Sequence, residues 1–207
     1  MEESSKTGSE CPAVPRPVFG PGRRHLLQVG AIAAAGLAPG GARAEDGDPS
    51  RMLQPQTGDL LVYAGDDRPC RVIEAADIKA GDAPVIAWAM DRDSKLVRDG
   101  SRLNQIVLLR LDPAMLGPDT RSHSADGLVA YSAICTHAQC TVSGWIQEKQ
   151  LLHCPCHQSE YDPRNGARVV GGPAPRPLAA LPLKIAGGKL EVAEGFIGKV
   201  GMSQQNM

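Results

Sequence analysis

From residue 58 onward, short apolar runs of three to seven residues alternate with segments that contain Gly, Pro, Asn, Asp and Ser. Runs of this length between turn residues predict β-strands. Hairpin turns are expected at Asp91–Ser94 and Gly187-Gly188, and one helical turn at Asp112–Gly117. The predicted strands are Leu60–Ala64, Val85–Met90, Gln105–Leu111, Leu128–Ile134, Thr141–Ile146, Gln150–His153, Arg168–Val170, Leu181–Ile185 and Lys189–Ala193. The pattern therefore predicts an all-β fold.

A different pattern precedes the first predicted strand. Residues 1–22 are polar and rich in proline, and Arg23-Arg24 then precedes an apolar run, Leu26–Ala38, and an Ala-x-Ala site at Ala42–Ala44. These are the three parts of an export signal, and the paired arginines resemble the twin-arginine type. Thirteen residues give about 20 Å of helix, short of a bilayer core of about 30 Å. We expect cleavage after Ala44, with a retained anchor or a short buried or amphipathic helix as alternatives.

The signal divides the chain into three regions: a leader at residues 1–44, a polar linker at 45–57 and one domain at 58–200. Aromatic residues are only 3% of the chain against 42% hydrophobic residues, so the core must be mainly aliphatic. The 22 basic and 23 acidic residues give a net charge of −1, which argues against a nucleic-acid partner.

The candidate chemistry lies in two short segments that each combine cysteine and histidine. The first runs from Cys135 through His137 to Cys140, and the second, 154–161, contains Cys154, Cys156 and His157. Strand-like runs flank both segments, so we expect two loops that can converge on one point. Together they offer thiolates and imidazoles, which are ligands for soft or borderline metals.

This pattern, Cys-x-His-x-x-Cys followed by Cys-x-Cys-His, resembles the Rieske family over residues 128–183. The resemblance implies an antiparallel β sandwich with a small inserted cluster-binding subdomain at about 132–178. It also implies a [2Fe–2S] cluster with Cys135 and Cys154 on one iron and His137 and His157 on the other. Replacing two thiolates by imidazoles raises the potential to roughly −150 to +300 mV, from about −400 mV for all-cysteine clusters.

The resemblance also implies roles for residues around the cluster. Cys140 and Cys156 would form a disulfide between the loops. Ser159 and Tyr161 occupy positions at which high-potential members place hydroxyl donors to a bridging sulfide and to a ligand sulfur. Gly172-Pro173-Ala174-Pro175 resembles the proline loop that covers the cluster.

Two other interpretations of the same residues are a structural zinc site and a network of structural disulfides. Structural zinc ligands are usually separated by two to four residues, which is wider than Cys135-x-His137. A disulfide network among the four cysteines leaves both histidines unexplained. The iron–sulfur interpretation is therefore favoured.

No nucleophile triad or phosphate-binding loop is visible, so we expect a one-electron carrier that works with a larger oxidoreductase subunit. The resemblance favours the iron–sulfur subunit of quinol–cytochrome c reductase, with a c-type cytochrome as acceptor and quinol as a candidate donor. The alternative is the small subunit of an arsenite-oxidase-type enzyme, and a structural zinc module is more remote. The leader predicts a periplasmic location, with membrane association if it is retained.

Three positions depart from the quinol-oxidising pattern. Ala138-Gln139 stands where that type has Leu-Gly, and Gln158 stands where it has Gly, which reduces the apolar tip used for quinol docking. Two further residues have structural interpretations: Cys70 is expected to be a small buried residue, and His153 to point away from the site.

Overall fold

The computed structural model describes residues 48–65 and 70–202, so the predicted leader lies outside the described residues. Ten strands and one five-residue helix form the described part, together with a few 3₁₀ turns. No helix among the described residues is long and apolar enough to cross a membrane. The all-β prediction is confirmed.

The strands form two antiparallel sheets, of six and of four strands, and the smaller one is an insertion. The six-stranded sheet has the order β4-β3-β2-β1-β10-β9, and the other has the order β5-β6-β7-β8. Because β5 to β8 follow one another between β4 and β9, they form the inserted subdomain that the resemblance implied. The elements are β1 Leu60–Tyr63, β2 Val85–Met90, β3 Ile106–Arg110, α1 Pro118–Ser122, β4 Leu128–Ser132, β5 Gly144–Ile146, β6 Leu151–Cys154, β7 Ser159–Asp162, β8 Arg168–Gly171, β9 Leu183–Ala186 and β10 Lys189–Val192.

The nine predicted strands all correspond to observed ones, with ends shifted by up to three residues. The Gly187-Gly188 hairpin is confirmed, and both glycines have positive φ, which the tight turn requires. The turn predicted from Asp112 is a 3₁₀ turn at Pro113–Met115, capped by the Asp112 carboxylate. Strand β7 and helix α1 were not predicted.

The core is aliphatic and lies mainly between strands of the large sheet and the segments packed on it. One buried cluster fills the large sheet around Leu61, Ile106 and Leu190. A second cluster joins the two sheets, and it includes Leu152, Tyr161 and the predicted ligands Cys135 and Cys154. The predicted metal-binding loops therefore arise from a packed core.

The end of the predicted linker is held on the domain. Asn104 donates from its side-chain amide to the Leu53 carbonyl at 2.8 Å, and Arg51 pairs with Asp99 at 2.7 Å. A buried ion pair between Arg98 and Asp59, 2.6 Å apart, anchors the start of β1. Residues 48–59 are thus part of the folded unit.

Candidate metal centre

The two predicted loops each contain the same type of backbone turn. The Gln139 N–H donates to the Cys135 carbonyl, and the Gln158 N–H donates to the Cys154 carbonyl, both at 3.0 Å. Gln139 and Gln158 have φ values of 58° and 60°, in the left-handed region that favours glycine. The two loops that depart from the family's glycines therefore keep a glycine-type backbone.

Side chains and backbone groups hold these two strained glutamines. Gln158 donates to the Pro155 carbonyl at 3.3 Å, and its amide oxygen lies 2.9 Å from Nε2 of His153. Arg102 donates to the Gln139 carbonyl at 2.8 Å. His153 lies on the face of β6 opposite the buried Cys154, as expected, and it bonds to the Gln158 side chain on that outer face.

The two candidate thiols are buried beneath the loops. Cys135 is 2% exposed and Cys154 is fully buried. The Tyr161 hydroxyl lies 3.2 Å from the Cys135 sulfur and accepts a hydrogen bond from the Thr136 N–H at 3.3 Å. Because that bond uses the oxygen as acceptor, the hydroxyl proton remains available for the sulfur.

The surroundings of the two thiols shift their pKa values in opposite directions. Burial opposes ionisation of Cys135, but hydrogen bonds from the Tyr161 hydroxyl and the His137 N–H outweigh it and lower the pKa of that thiol. Burial raises the pKa of the Cys154 thiol. Burial and the hydrogen bond to Cys135 also raise the pKa of Tyr161, so the phenol stays protonated as a donor.

The two candidate imidazoles lie side by side at the loop tips. The ring centroids of His137 and His157 are 4.6 Å apart, with the ring planes nearly perpendicular at 87°. His157 is exposed, whereas His137 is half-buried. Nδ1 of His137 is itself buried and has no hydrogen-bond partner among the described residues.

A disulfide joins Cys140 in the first loop to Cys156 in the second, as the resemblance implied. The sulfurs of Cys140, Cys154 and Cys156 lie within 4.8 Å of one another. Only Cys154 of these three retains a thiol for a metal, so the group is not a three-cysteine site. The disulfide therefore lies against a candidate ligand.

Cys70 does not form a disulfide, and its side chain is less buried than predicted. Its side chain is half-buried rather than buried, and it lies in a turn with φ of 56°. The turn precedes the residue that bridges to β1, far along the chain from both loops.

Strand β7 brings two predicted tuning residues to one face. Ser159 and Tyr161 are fully buried, while Glu160 between them points outward and pairs with Lys149 at 3.5 Å. The Ser159 hydroxyl has no hydrogen-bond partner among the described residues. A buried donor without a partner costs about 1–3 kcal/mol unless a bound group satisfies it.

The predicted proline loop approaches the second cysteine loop closely. Gly172 has φ of 79°, and a Cβ at this position would lie 2.5 Å from Cα of Ser159 and 2.6 Å from the Gln158 carbonyl oxygen. Ala174 is buried, while Pro173 and Pro175 are exposed. Only glycine allows residues 172–175 to lie this close.

The donor set fits an iron–sulfur cluster of the mixed type. Nδ1 of His137 lacks a partner and can act as a ligand, and the Ser159 hydroxyl is a donor without an acceptor. A cluster would satisfy both, because its iron would bind the imidazole and its sulfide would accept a hydrogen bond from the hydroxyl.

The comparisons with known proteins agree with this geometry. The model of the family described as "Rieske [2Fe-2S] domain" matches residues 69–182, so the chain belongs to the Rieske family. The family's cofactor is a [2Fe–2S] cluster, which makes the chain an iron–sulfur electron-transfer protein.

Its relatives include subunits of respiratory complexes. The cytochrome bc1 complex Rieske iron-sulfur subunit of Streptomyces lividans is 40% identical over 152 residues, which are 70% of this chain and 85% of the relative. The Streptomyces coelicolor subunit is 35% identical over 70% of this chain and 41% of the relative. A Rieske subunit assigned to a respiratory nitrate reductase in Haloferax mediterranei is 47% identical over 36% of this chain. The chain spans 34% of that protein's length.

The solved structures that are similar to this chain also include Rieske proteins. A chain of a hyperthermophilic respiratory Complex III is 28% identical, covers 57% of this chain and 70% of that chain, and has a TM-score of 0.37. The soluble domain of Rieske protein II from Sulfolobus acidocaldarius is 22% identical, covers 50% of this chain and 67% of that chain, and has a TM-score of 0.40.

Proposed function

We propose that Cys135 and Cys154 bind one iron of a [2Fe–2S] cluster and that His137 and His157 bind the other. The buried Nδ1 of His137 without a partner is the single observation that supports this most. The perpendicular packing of the two imidazoles and the burial of both thiols add to it. The cluster, when bound, supplies a one-electron couple.

The chain's other residues hold and tune that site. Tyr161 donates to the Cys135 sulfur, and Ser159 offers its hydroxyl to the bound group. Such donors stabilise added negative charge on sulfur, so they raise the reduction potential. The disulfide ties the loops together, and exposed His157 gives electrons a short path to a docked partner.

We propose further that the chain is the electron-transfer subunit of an exported or membrane-associated oxidoreductase of the quinol–cytochrome c reductase type. The two Streptomyces relatives support this type. A larger subunit and a c-type cytochrome are then the partners, with quinol as the donor. No specific observation favours the arsenite-oxidase type. A [2Fe–2S] cluster at these residues also excludes the alternative of a structural zinc module. Export by the twin-arginine route to the periplasmic side rests on the leader sequence alone.

The ligand assignment is tested by metal content in purified variants. Cys135→Ser, Cys154→Ser, His137→Ala and His157→Ala should each abolish the iron–sulfur absorbance. His153→Ala and Cys70→Ser are matched controls that should retain the iron of the unmodified protein. Full iron retention in any of the four ligand variants contradicts the assignment.

The complex is tested separately with an affinity-tagged chain expressed in its native membranes. Co-purification of a b-type and a c-type cytochrome is the expected result. Co-purification of a molybdenum enzyme instead contradicts the quinol–cytochrome c reductase type, while leaving the ligand assignment in place.

A further inference from the structure

An exposed arginine in the 3₁₀ turn before β3 lies against the first cysteine loop. Arg102 donates from Nη2 to the carbonyl of Gln139 at 2.8 Å. Gln139 is two residues from His137 and adjacent to Cys140. The guanidinium therefore lies beside the tip at which the imidazoles are grouped.

The end of the described chain lies against the same loop. Arg176 donates to the carbonyls of Lys199 and Gly201, while its own carbonyl accepts a bond from the Thr136 hydroxyl at 2.8 Å. A Cβ on Gly201 would lie 3.5 Å from Cγ of Gln139. Exposed Lys199 is thereby placed on the same side of the tip as Arg102.

Carboxylates do not neutralise these three cations. Within residues 48–65 and 70–202, Arg102, Arg176 and Lys199 form no ion pair, although nine other arginine and lysine side chains do. Arg102 and Arg176 donate only to backbone carbonyls, which leave the positive charge in place, and the buried Nε of Arg176 has no hydrogen-bond partner among the described residues. The segments that carry these three cations and the first cysteine loop, residues 100–111, 127–147, 169–190 and 195–202, contain no Asp or Glu. Strand β7, after the second loop, carries Glu160, which pairs with Lys149 at 3.5 Å.

The position of this positive region indicates a role in docking a partner. Arg102 and the end of the described chain contact Gln139, in the loop that carries His137. The His137 ring packs against the exposed His157, and a partner's redox centre would approach these imidazoles. The family's apolar Leu is replaced by the smaller Ala138 at this tip, so apolar contact contributes less to docking. Complementary charge steers association and orients the partner.

We propose that Arg102, Arg176 and Lys199 form a cationic docking rim for an electron-transfer protein whose contact surface carries carboxylates. This rests on the proposed function and deepens it by naming the chemistry of the partner at that same site. Anionic lipid is the competing occupant, but lipid headgroups carry no redox centre for the adjoining imidazoles.

The rim is tested by stopped-flow oxidation of the reduced holoprotein at ionic strengths from 10 to 500 mM. Ferricyanide is the anionic probe and tris(phenanthroline)cobalt(III) the cationic one. A protein with net charge −1 and no rim should react faster with ferricyanide as salt rises. With the rim, the ferricyanide rate should instead fall by about tenfold, the low end of electrostatic steering, and the cobalt rate should rise.

The double variant Arg102→Gln/Lys199→Gln should lose this salt dependence. Arg176 is left intact because it holds residues 199–201. The control Lys95→Gln/Lys189→Gln removes the same charge from the turn after β2 and from the start of β10, and it should keep the wild-type slope. Comparing slopes removes any effect of a changed potential, which is measured on the same samples.

The outcomes separate this inference from the proposed function. A protein with no reducible chromophore contradicts the proposed function. A chromophore that is oxidised with equal salt slopes in both double variants overturns the rim alone. Sedimentation with phosphatidylglycerol vesicles adds one arm: binding that only the Arg102→Gln/Lys199→Gln variant loses, with an unchanged ferricyanide slope, assigns the cations to a membrane and overturns the proposal.

Discussion

The buried phenol of Tyr161 donates a hydrogen bond to the sulfur of Cys135 at 3.2 Å. The two residues are 26 positions apart and belong to different segments, β7 and the loop after β4. Their contact links the inserted sheet to the first cysteine loop. It also determines how much negative charge that sulfur can carry.

Replacing Tyr161 by Phe should lower the midpoint potential by about 40 mV. The loss of one hydrogen bond is worth about 1 kcal/mol, and for a one-electron couple a factor of ten corresponds to about 59 mV. Redox titration of the holoprotein measures the change. Tyr131→Phe is the control, because Tyr131 is equally buried but donates to the Pro163 carbonyl at 2.7 Å. The Tyr131→Phe variant should lose stability and keep the wild-type potential. Equal shifts of the midpoint potential in the two variants would show that Tyr161 acts only through packing.

Ser159→Ala should separate a role in tuning from one in folding. The hydroxyl has no partner in the described protein, so its removal should leave the unfolding free energy of the apoprotein unchanged or slightly higher. The potential of the holoprotein should fall by about 40 mV on the same hydrogen-bond reasoning. A destabilised apoprotein with an unchanged potential would mean that Ser159 does not face the cluster. Denaturant titration and redox titration give the two quantities.

Cys140→Ser should leave all four ligands in place and weaken the hold on the cluster. The bridge closes a segment of 16 residues, for which the loop-entropy relation gives about 3 kcal/mol. The visible absorbance of the variant should bleach faster under mild heating or chelator. Cys70→Ser, which removes a cysteine outside any disulfide, should bleach at the wild-type rate. Bleaching at the wild-type rate in Cys140→Ser would show that the bridge has no role in retention.

Asp162 should contribute stability that disappears in acid. Burial raises the pKa of this carboxyl, but bonds from Asn165 and Arg164 outweigh it and leave the pKa below its ordinary value. A pKa lower in the folded than in the unfolded state adds stability above the unfolded value, about 3.9, and this is lost as pH falls through the folded value. Asp162→Asn should therefore cost about 1–3 kcal/mol at pH 7 and much less once the pH has fallen below the folded-state pKa. Apoprotein denaturation across this range measures it, and a pH-independent cost would contradict the charge argument.

The positions of the cysteines and histidines predicted the two loops, and the family resemblance that they carry implied the disulfide between Cys140 and Cys156. Strand β7 was missed because Ser159, Glu160 and Tyr161 are not an apolar run. Ser159 and Tyr161 are buried because they line the site. The bond from His153 to Gln158 depends on the left-handed turn at Gln158, which glutamine rarely adopts. Contacts such as Arg102 with Gln139, 37 positions apart, follow from the fold and have no local signal.

The central claim, a cluster with two thiolate and two imidazole ligands, is tested most directly by a redox titration followed by electron paramagnetic resonance with nitrogen spin-echo detection. The account predicts about two irons and two sulfides per chain, and a one-electron signal coupled to two imidazole nitrogens. Its midpoint should lie within roughly −150 to +300 mV. A signal without nitrogen coupling at about −400 mV, or one zinc per chain and no signal, would contradict it.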